Sequence, residues 1–136
     1  MVARLFIALL ALAPPGSIIT AAPSESIYVI VHSGLRLTAA DVREVYFGEK
    51  ELALGVKLSP VDNLSVQRQF LATFLKLEVT KYNILWAKKG FRDALNPPLV
   101  RTNDAEVIQA VRSTLGGIGY VSSAPAGVDI IAQLQP

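Results

Sequence analysis

The residues of this sequence that could do chemistry are few, and the most promising group is Asp62, Asn63, Ser65 and Arg68. They follow an apolar run typical of a strand and lead into a predicted helix, a position where open α/β sheets tend to bind ligands. Free backbone N–H groups at the helix start, the Ser65 hydroxyl and the Arg68 guanidinium could together hold an anion. The alternative is ordinary N-capping by Asn63 or Ser65, with Arg68 in solvent.

Two other groups of residues are predicted to be structural. His32, the single histidine, stands beside Ser33 at a strand end, and neighbours in sequence do not easily face each other as nucleophile and base. One histidine and no cysteine exclude a histidine- or cysteine-rich metal site. The glycines from Gly116 to Gly119 lie between a helix and a strand, the reverse of the order in phosphate-binding loops, which predicts a helix end and a tight turn.

From these residues we predict a protein that is not an enzyme and has no cofactor. The ligand-binding residues that we predict are Ser33, Asp62, Asn63, Ser65 and Arg68.

The elements that would position these residues alternate between strands and helices. Apolar, β-branched runs predict strands at 27–31, 56–61, 118–121 and 128–131, separated by loops at 49–56, 96–98 and 122–127. Capping patterns and apolar stripes predict helices that begin after Thr38, near Ser65, near Thr80 and after Asn103. We therefore predict one α/β domain over residues 23–136, with three layers or nearly so and a small mixed sheet.

Three details of these elements can be checked against a structure. Pro60 should place the far end of its strand at an edge or exit of the sheet, because proline cannot donate to a ladder. The Lys88–Lys89 pair should fall in the last turn of the third helix, where positive charge suits the helix dipole. Leu115 should close the buried stripe of the fourth helix.

The first 22 residues have the composition of a secretory signal peptide. Arg4 precedes an uncharged apolar run at 5–13, Pro14–Gly16 interrupt it, and Thr20–Ala22 are small exit residues. The run is shorter than the roughly 20 residues that a membrane span needs, so we expect cleavage after Ala21 or Ala22 rather than a retained anchor. We expect the mature chain to be exported, without stable membrane insertion.

Charge and cysteine content restrict the mature chain further. Removing Arg4 with the signal leaves twelve basic residues against 11 acidic ones, a formal charge of +1. So small an imbalance argues against nucleic acid as a partner. The absence of cysteine means that the exported domain must be stabilised by packing alone.

Several segments together resemble the periplasmic phosphate-binding proteins of ABC transporters. The matching segments are 37–48 (LTAADVREVYFG), 58–62 (LSPVD), 65–70 (SVQRQF), Trp86 and 114–121 (TLGGIGYV). The resemblance implies one lobe of a periplasmic-binding-protein-like fold, a periplasmic location, and phosphate or a similar oxyanion as ligand, with an ABC permease or a periplasmic protein as partner.

The chain departs from that family in two ways. It has half the length that a two-lobed binder needs, so a homodimer or a partner protein would have to supply the second lobe. Val61 stands where the family has arginine, and Ser65–Gln67 replace its Ser-Gly-Thr. Two functions remain open: weak or partner-dependent oxyanion binding, or an exported accessory domain that keeps the fold and has lost the ligand.

Overall fold

The strands and helices alternate along the chain in a computed structural model that describes residues 26–135. The strands are β1 (Ile27–His32), β2 (Leu52–Ala53), β3 (Val56–Lys57), β4 (Ser59–Asn63), β5 (Leu99–Arg101), β6 (Gly117–Val121) and β7 (Val128–Leu134). The helices are α1 (Ala39–Tyr46), α2 (Gln67–Phe70), α3 (Val79–Asp93) and α4 (Asp104–Ser113), and a π-helical turn over Leu71–Leu75 continues α2. The predicted signal peptide lies outside the described residues.

Five of the strands form one mixed sheet in the order β5-β4-β6-β1-β7. Strand β4 runs parallel to both β5 and β6, whereas β1 runs antiparallel to β6 and to β7. The carboxyl ends of β4, β5 and β6 therefore share one edge of the sheet, and β1 ends at the opposite edge.

Helices cover both faces of this sheet, so the predicted three-layer α/β fold is confirmed. Alternate side chains of β1 point to opposite faces. Val29 and Val31 belong to the larger core, which includes residues of α1, α2 and α3 such as Val42, Phe70 and Trp86. On the other face Ile30 packs in a smaller core with Val61, Val121 and two valines of α4, Val107 and Val111.

Local capping starts two helices where the sequence predicts. Thr38 caps α1 in a full capping box with Asp41, and the Asn103 side chain accepts a hydrogen bond from the Glu106 N–H at the start of α4. Gly48 follows α1 with φ of 71°, and a Cβ there would lie 2.9 Å from the Trp86 ring. Conformation and close packing both require glycine at that position. Within residues 26–135, no helix is long and apolar enough to cross a membrane.

The prediction for residues 49–61 is wrong in three respects. The predicted loop contains the hairpin of β2 and β3, and the predicted strand is divided between β3 and β4. Pro60 lies inside β4, a central strand, where it pairs with Ile118 of β6. The Ser59 N–H donates to the carbonyl of Gly116, directly before β6, so the Pro60 nitrogen faces the β5 side of the strand. Strand β5 pairs with β4 only from Val61 onward, so no ladder hydrogen bond is lost at Pro60.

Three helix boundaries and one strand differ from the prediction. The second helix begins at Gln67 instead of Ser65, and the short strand β5 was not predicted. Helix α3 continues to Asp93, so Lys88 and Lys89 lie before its last turn. Helix α4 ends at Ser113, which leaves Leu115 outside it and 65% exposed.

Gly116, directly before β6, and Gly119, within β6, permit close packing, which agrees with a structural role. A Cβ on Gly116 would lie 1.9 Å from the Lys57 carbonyl oxygen, and one on Gly119 would lie 2.6 Å from a methyl group of Val107. The chain can pass between the hairpin and α4 only because these side chains are absent.

Candidate functional site

Asp62 and Asn63 lie at the carboxyl end of β4, as the last two residues of the strand and not in the predicted turn. Both are buried. Their side chains face partners from α3, α4 and β6, which converge at this edge of the sheet. The candidate site consists of these two residues, their partners and the turn over 64–66.

Asn63 uses every hydrogen-bonding group of its side chain. Its Nδ2 donates to the Asp104 Oδ1 at 2.8 Å and to the Tyr120 carbonyl at 3.0 Å. Its Oδ1 accepts from the Ser65 N–H at 3.1 Å and from the Ser65 hydroxyl at 2.6 Å. One carboxamide thus links β4, β6, α4 and the turn, and it has no group left for a ligand.

The backbone N–H groups of the turn also have partners within the chain. The Leu64 N–H donates to the Arg101 carbonyl at 2.9 Å, and the Val66 N–H donates to the Asn63 carbonyl at 3.2 Å. Because the Ser65 N–H donates to the Asn63 side chain, the backbone N–H groups of all three turn residues have hydrogen-bond acceptors. The Asn63 Oδ1 therefore takes both donors of Ser65, which an oxyanion bound at this turn would otherwise use.

Asp62 is 2% exposed and is held by two tyrosines. The Tyr82 hydroxyl of α3 donates to its Oδ2 at 2.7 Å, and the Tyr120 hydroxyl of β6 donates to its Oδ1 at 2.8 Å. Burial raises the pKa of Asp62 to about 6, although the two hydroxyl bonds oppose that shift. At neutral pH the site therefore carries a buried negative charge.

The two tyrosines are themselves fixed by the core. The Tyr120 ring stacks on Phe70 with ring centroids 3.7 Å apart, and Tyr46 meets both rings edge-on. Burial first, and then the charge of Asp62, raise the pKa of Tyr82 and of Tyr120, so both hydroxyls stay protonated as donors. We infer that the cluster of Asp62, Tyr82 and Tyr120 is a structural link between β4, α3 and β6.

The remaining predicted ligand residues, Ser33, Ser65 and Arg68, do not form an anion site. Ser65 is exposed, but its hydroxyl is engaged by Asn63, and Arg68 is exposed on α2 without an ion pair in the described part of the chain. Ser33 follows β1 and so lies at the opposite edge of the sheet, because β1 is antiparallel to β6. The structure therefore does not bring Ser33 near the other four.

His32 has the structural role that the sequence predicts. Its Nδ1 donates to the Val111 carbonyl at 3.0 Å, which ties the end of β1 to α4. Among residues 26–135, no group of three or more histidine or carboxylate side chains is arranged to hold a metal ion.

An open cleft of about 680 Å³ lies between α3 and the 94–98 segment. Asp62, Tyr82 and Trp86 contribute to it, but each of them is buried and hydrogen-bonded inside the protein. Across residues 26–135, every buried side-chain nitrogen or oxygen has a hydrogen-bond partner. The cleft therefore offers a ligand no unsatisfied buried polar group.

The partners Tyr82, Tyr120 and Asp104 were not predicted as members of this site. Tyr82 was predicted only as part of the helix that begins near Thr80, and Tyr120 only as part of the strand at 118–121. A tyrosine at a buried position, where its hydroxyl needs a partner, is the one sequence feature that could have suggested a buried carboxylate nearby.

Comparisons with known proteins give no relative. No protein-family model matches the chain, and no curated protein and no solved structure matches it significantly. The resemblance to phosphate-binding proteins thus depends on the sequence motifs alone.

Proposed function

We propose that this chain is an exported interaction domain, one lobe of a periplasmic-binding-protein-like fold that does not bind phosphate at the turn after β4. The observation that carries the proposal is the Asn63 side chain, whose Oδ1 accepts both hydrogen bonds that Ser65 could otherwise give to an oxyanion. Phosphate could use the Ser65 donors only after the two hydrogen bonds from Ser65 to Asn63 were broken.

The charges around the turn also oppose an anion. Asp62 directly precedes Asn63 in the sequence, and the Asp104 carboxylate accepts a hydrogen bond from the Asn63 Nδ2 at 2.8 Å. Arg68 is exposed, so solvent screens its attraction for an anion. A buried phosphate needs many aligned donors to offset its lost hydration, and this turn has none free at residues 64–66.

Titration with inorganic phosphate at low salt tests this proposal. We expect no saturable heat for the wild type and the same result for a Ser65→Ala, Arg68→Ala double variant, because neither residue is part of a working anion site. Sulfate is a second probe under the same conditions. Submicromolar phosphate binding by the wild type that the double variant abolishes would contradict the proposal and support a solute-binding function.

A further inference from the structure

The outward face of α3 carries an apolar seam. Its members are Thr80, Ile84, Ala87 and Phe91, and all four are exposed, Ile84 by 50% and Phe91 by 94%. Their spacing of four, three and four residues is that of the seam of a coiled coil. The opposite side of the same helix supplies Tyr82 and Trp86 to the core, so α3 has two apolar faces, and residues 26–135 cover only one of them.

A row of cations lies beside this seam. Lys81, Lys88 and Arg92 are exposed, and within residues 26–135 no carboxylate lies within ion-pair distance of them. The one acidic residue of α3, Asp93, is two positions from Phe91 and so about 200° away around the helix. The uncovered face is therefore apolar and positively charged, without acidic residues to compensate it.

The shape of this face suits a helix. Ala87 is the smallest side chain in the seam, and a groove of about 550 Å³ lies over it, lined by Ile84, Ala87, Lys88, Phe91 and Arg92. A small residue between two large ones allows a partner helix to approach closely and to pack side chains on both sides of it. Lys81 and Lys88 directly follow seam positions, where coiled coils place the charges that select the partner.

We propose that the outward face of α3 binds an amphipathic helix of another protein, one with acidic residues flanking its apolar seam. This inference rests on the proposed interaction function and names the surface and the partner's chemistry. Acidic flanks would pair with Lys81, Lys88 and Arg92, and the apolar seam would cover Ile84 and Phe91. A second copy of this chain would instead bring the same row of cations to the seam and be repelled.

A synthetic helix of three heptads, with leucine at seam positions and glutamate at flanking positions, is a direct probe. We expect its fluorescence anisotropy to rise saturably with protein and the affinity to fall as salt is raised to about 150 mM. Phe91→Ala should weaken binding about tenfold or more, because a large aromatic anchor is lost. Leu115→Ala, which truncates a 65% exposed leucine outside α3, is the control and should leave binding unchanged.

Charge reversal distinguishes specific recognition of the acidic flanks from nonspecific hydrophobic binding. The Lys81→Glu, Lys88→Glu double variant should lose the glutamate peptide and bind a version with lysine at the flanking positions. All four substituted side chains are exposed, so circular dichroism should report an unchanged fold.

Three outcomes would overturn the proposal. They are no saturable binding of the glutamate peptide, Phe91-dependent binding to phosphatidylglycerol vesicles in its place, or a wild-type dimer in sedimentation that Phe91→Ala abolishes. Phosphate titration keeps the two proposals distinct. If neither phosphate nor peptide binds, only the α3 surface is refuted, whereas tight phosphate binding refutes the interaction function.

Discussion

At the scale of single residues, Asn63 organises this edge of the sheet. Strands β4 and β6 pair at Ser59 and Pro60, and farther along the Asn63 side chain bonds to the Tyr120 carbonyl. The same carboxamide holds Asp104 and Ser65. A residue that the sequence predicts as a ligand group is thus a buried structural connector.

Asn63→Asp should be strongly destabilising. The substitution places a carboxylate oxygen where Nδ2 now lies 2.8 Å from the Asp104 Oδ1, and it removes the donor to the Tyr120 carbonyl. We expect the free energy of unfolding to fall by about 3–4 kcal/mol at neutral pH, as measured by urea denaturation. Part of this loss should return in acid, when one carboxylate is protonated.

Ser65→Ala is the control for that experiment. It removes only the hydroxyl bond to the Asn63 Oδ1, from an exposed side chain, and should cost about 1 kcal/mol. Equal and small losses for the two variants would mean that the Asn63 side chain is not the connector described here.

At the scale of elements, α3 is followed by Ala94, a residue with a strained backbone conformation. Ala94 caps the helix in the left-handed region, with φ of 54°, and its N–H donates to the Lys89 carbonyl. Glycine has no Cβ to oppose this conformation, so Ala94→Gly should raise the free energy of unfolding by about 0.5–1 kcal/mol. The melting temperature and a urea titration both measure this change.

Ala87→Gly, the same substitution in the interior of the same helix, should lower the free energy of unfolding. Ala87 is exposed in the helical interior, where glycine costs about 1 kcal/mol. A stabilised Ala87→Gly, or an Ala94→Gly variant less stable than the wild type, would contradict the strain at Ala94.

The starts of α1 and α4 could be predicted from the sequence because their causes are local. Thr38 and Asp41 are three residues apart, as are Asn103 and Glu106, and each pair makes its cap without help from the rest of the chain. The short elements could not be predicted. Strand β5 has three residues after two prolines, too few for a hydrophobic period, and it exists because β4 lies beside it.

The chemistry of the candidate site was hidden from the sequence for a similar reason. The apolar run predicts a strand that stops at residue 61, whereas Asp62 and Asn63 are the last two residues of β4. Their partners Tyr120 and Asp104 lie 58 and 41 residues away in the chain, so no local pattern joins them. Without these partners, Asn63 and Ser65 resemble free ligand groups.

At the scale of the whole molecule, strand direction decides which residues can cooperate. The apolar run at 27–31 predicts a buried strand but does not give its direction. Because β1 runs antiparallel to β6, Ser33 and Asn63 lie at opposite ends of the strands. The same topology brings β4, β6 and α3 together around Asp62, which gives the whole fold a dependence on pH.

The charge of Asp62 should make the folded protein less stable as pH rises toward neutrality. Its pKa is about 6 in the fold against an ordinary value of 3.8, chiefly because of burial. Between these values the folded chain holds a proton that the unfolded chain has released, so the free energy of unfolding falls by up to about 3 kcal/mol. Below about pH 4 and above the folded pKa, this contribution is constant.

Asp41 acts in a different pH range and does not obscure this effect. The Thr38 N–H first, and then Lys50, lower the pKa of Asp41 to about 2. Its stabilising contribution is present above 3.8 and is lost as the pH falls from there toward 2. The range from about pH 4 to 7 therefore reports on Asp62 with Asp41 already ionised.

Asp62→Asn isolates the effect, because asparagine cannot ionise. Urea denaturation across this range should show the wild type losing up to about 3 kcal/mol relative to Asp62→Asn as the pH rises. Gln109→Ala is the control, since it removes an exposed side chain that cannot ionise, and its difference from the wild type should not change with pH. Parallel profiles for Asp62→Asn and the wild type would mean that the buried carboxylate carries no charge at neutral pH. Asp62 would then not repel an anion near Asn63, and the electrostatic argument against phosphate binding would be weakened.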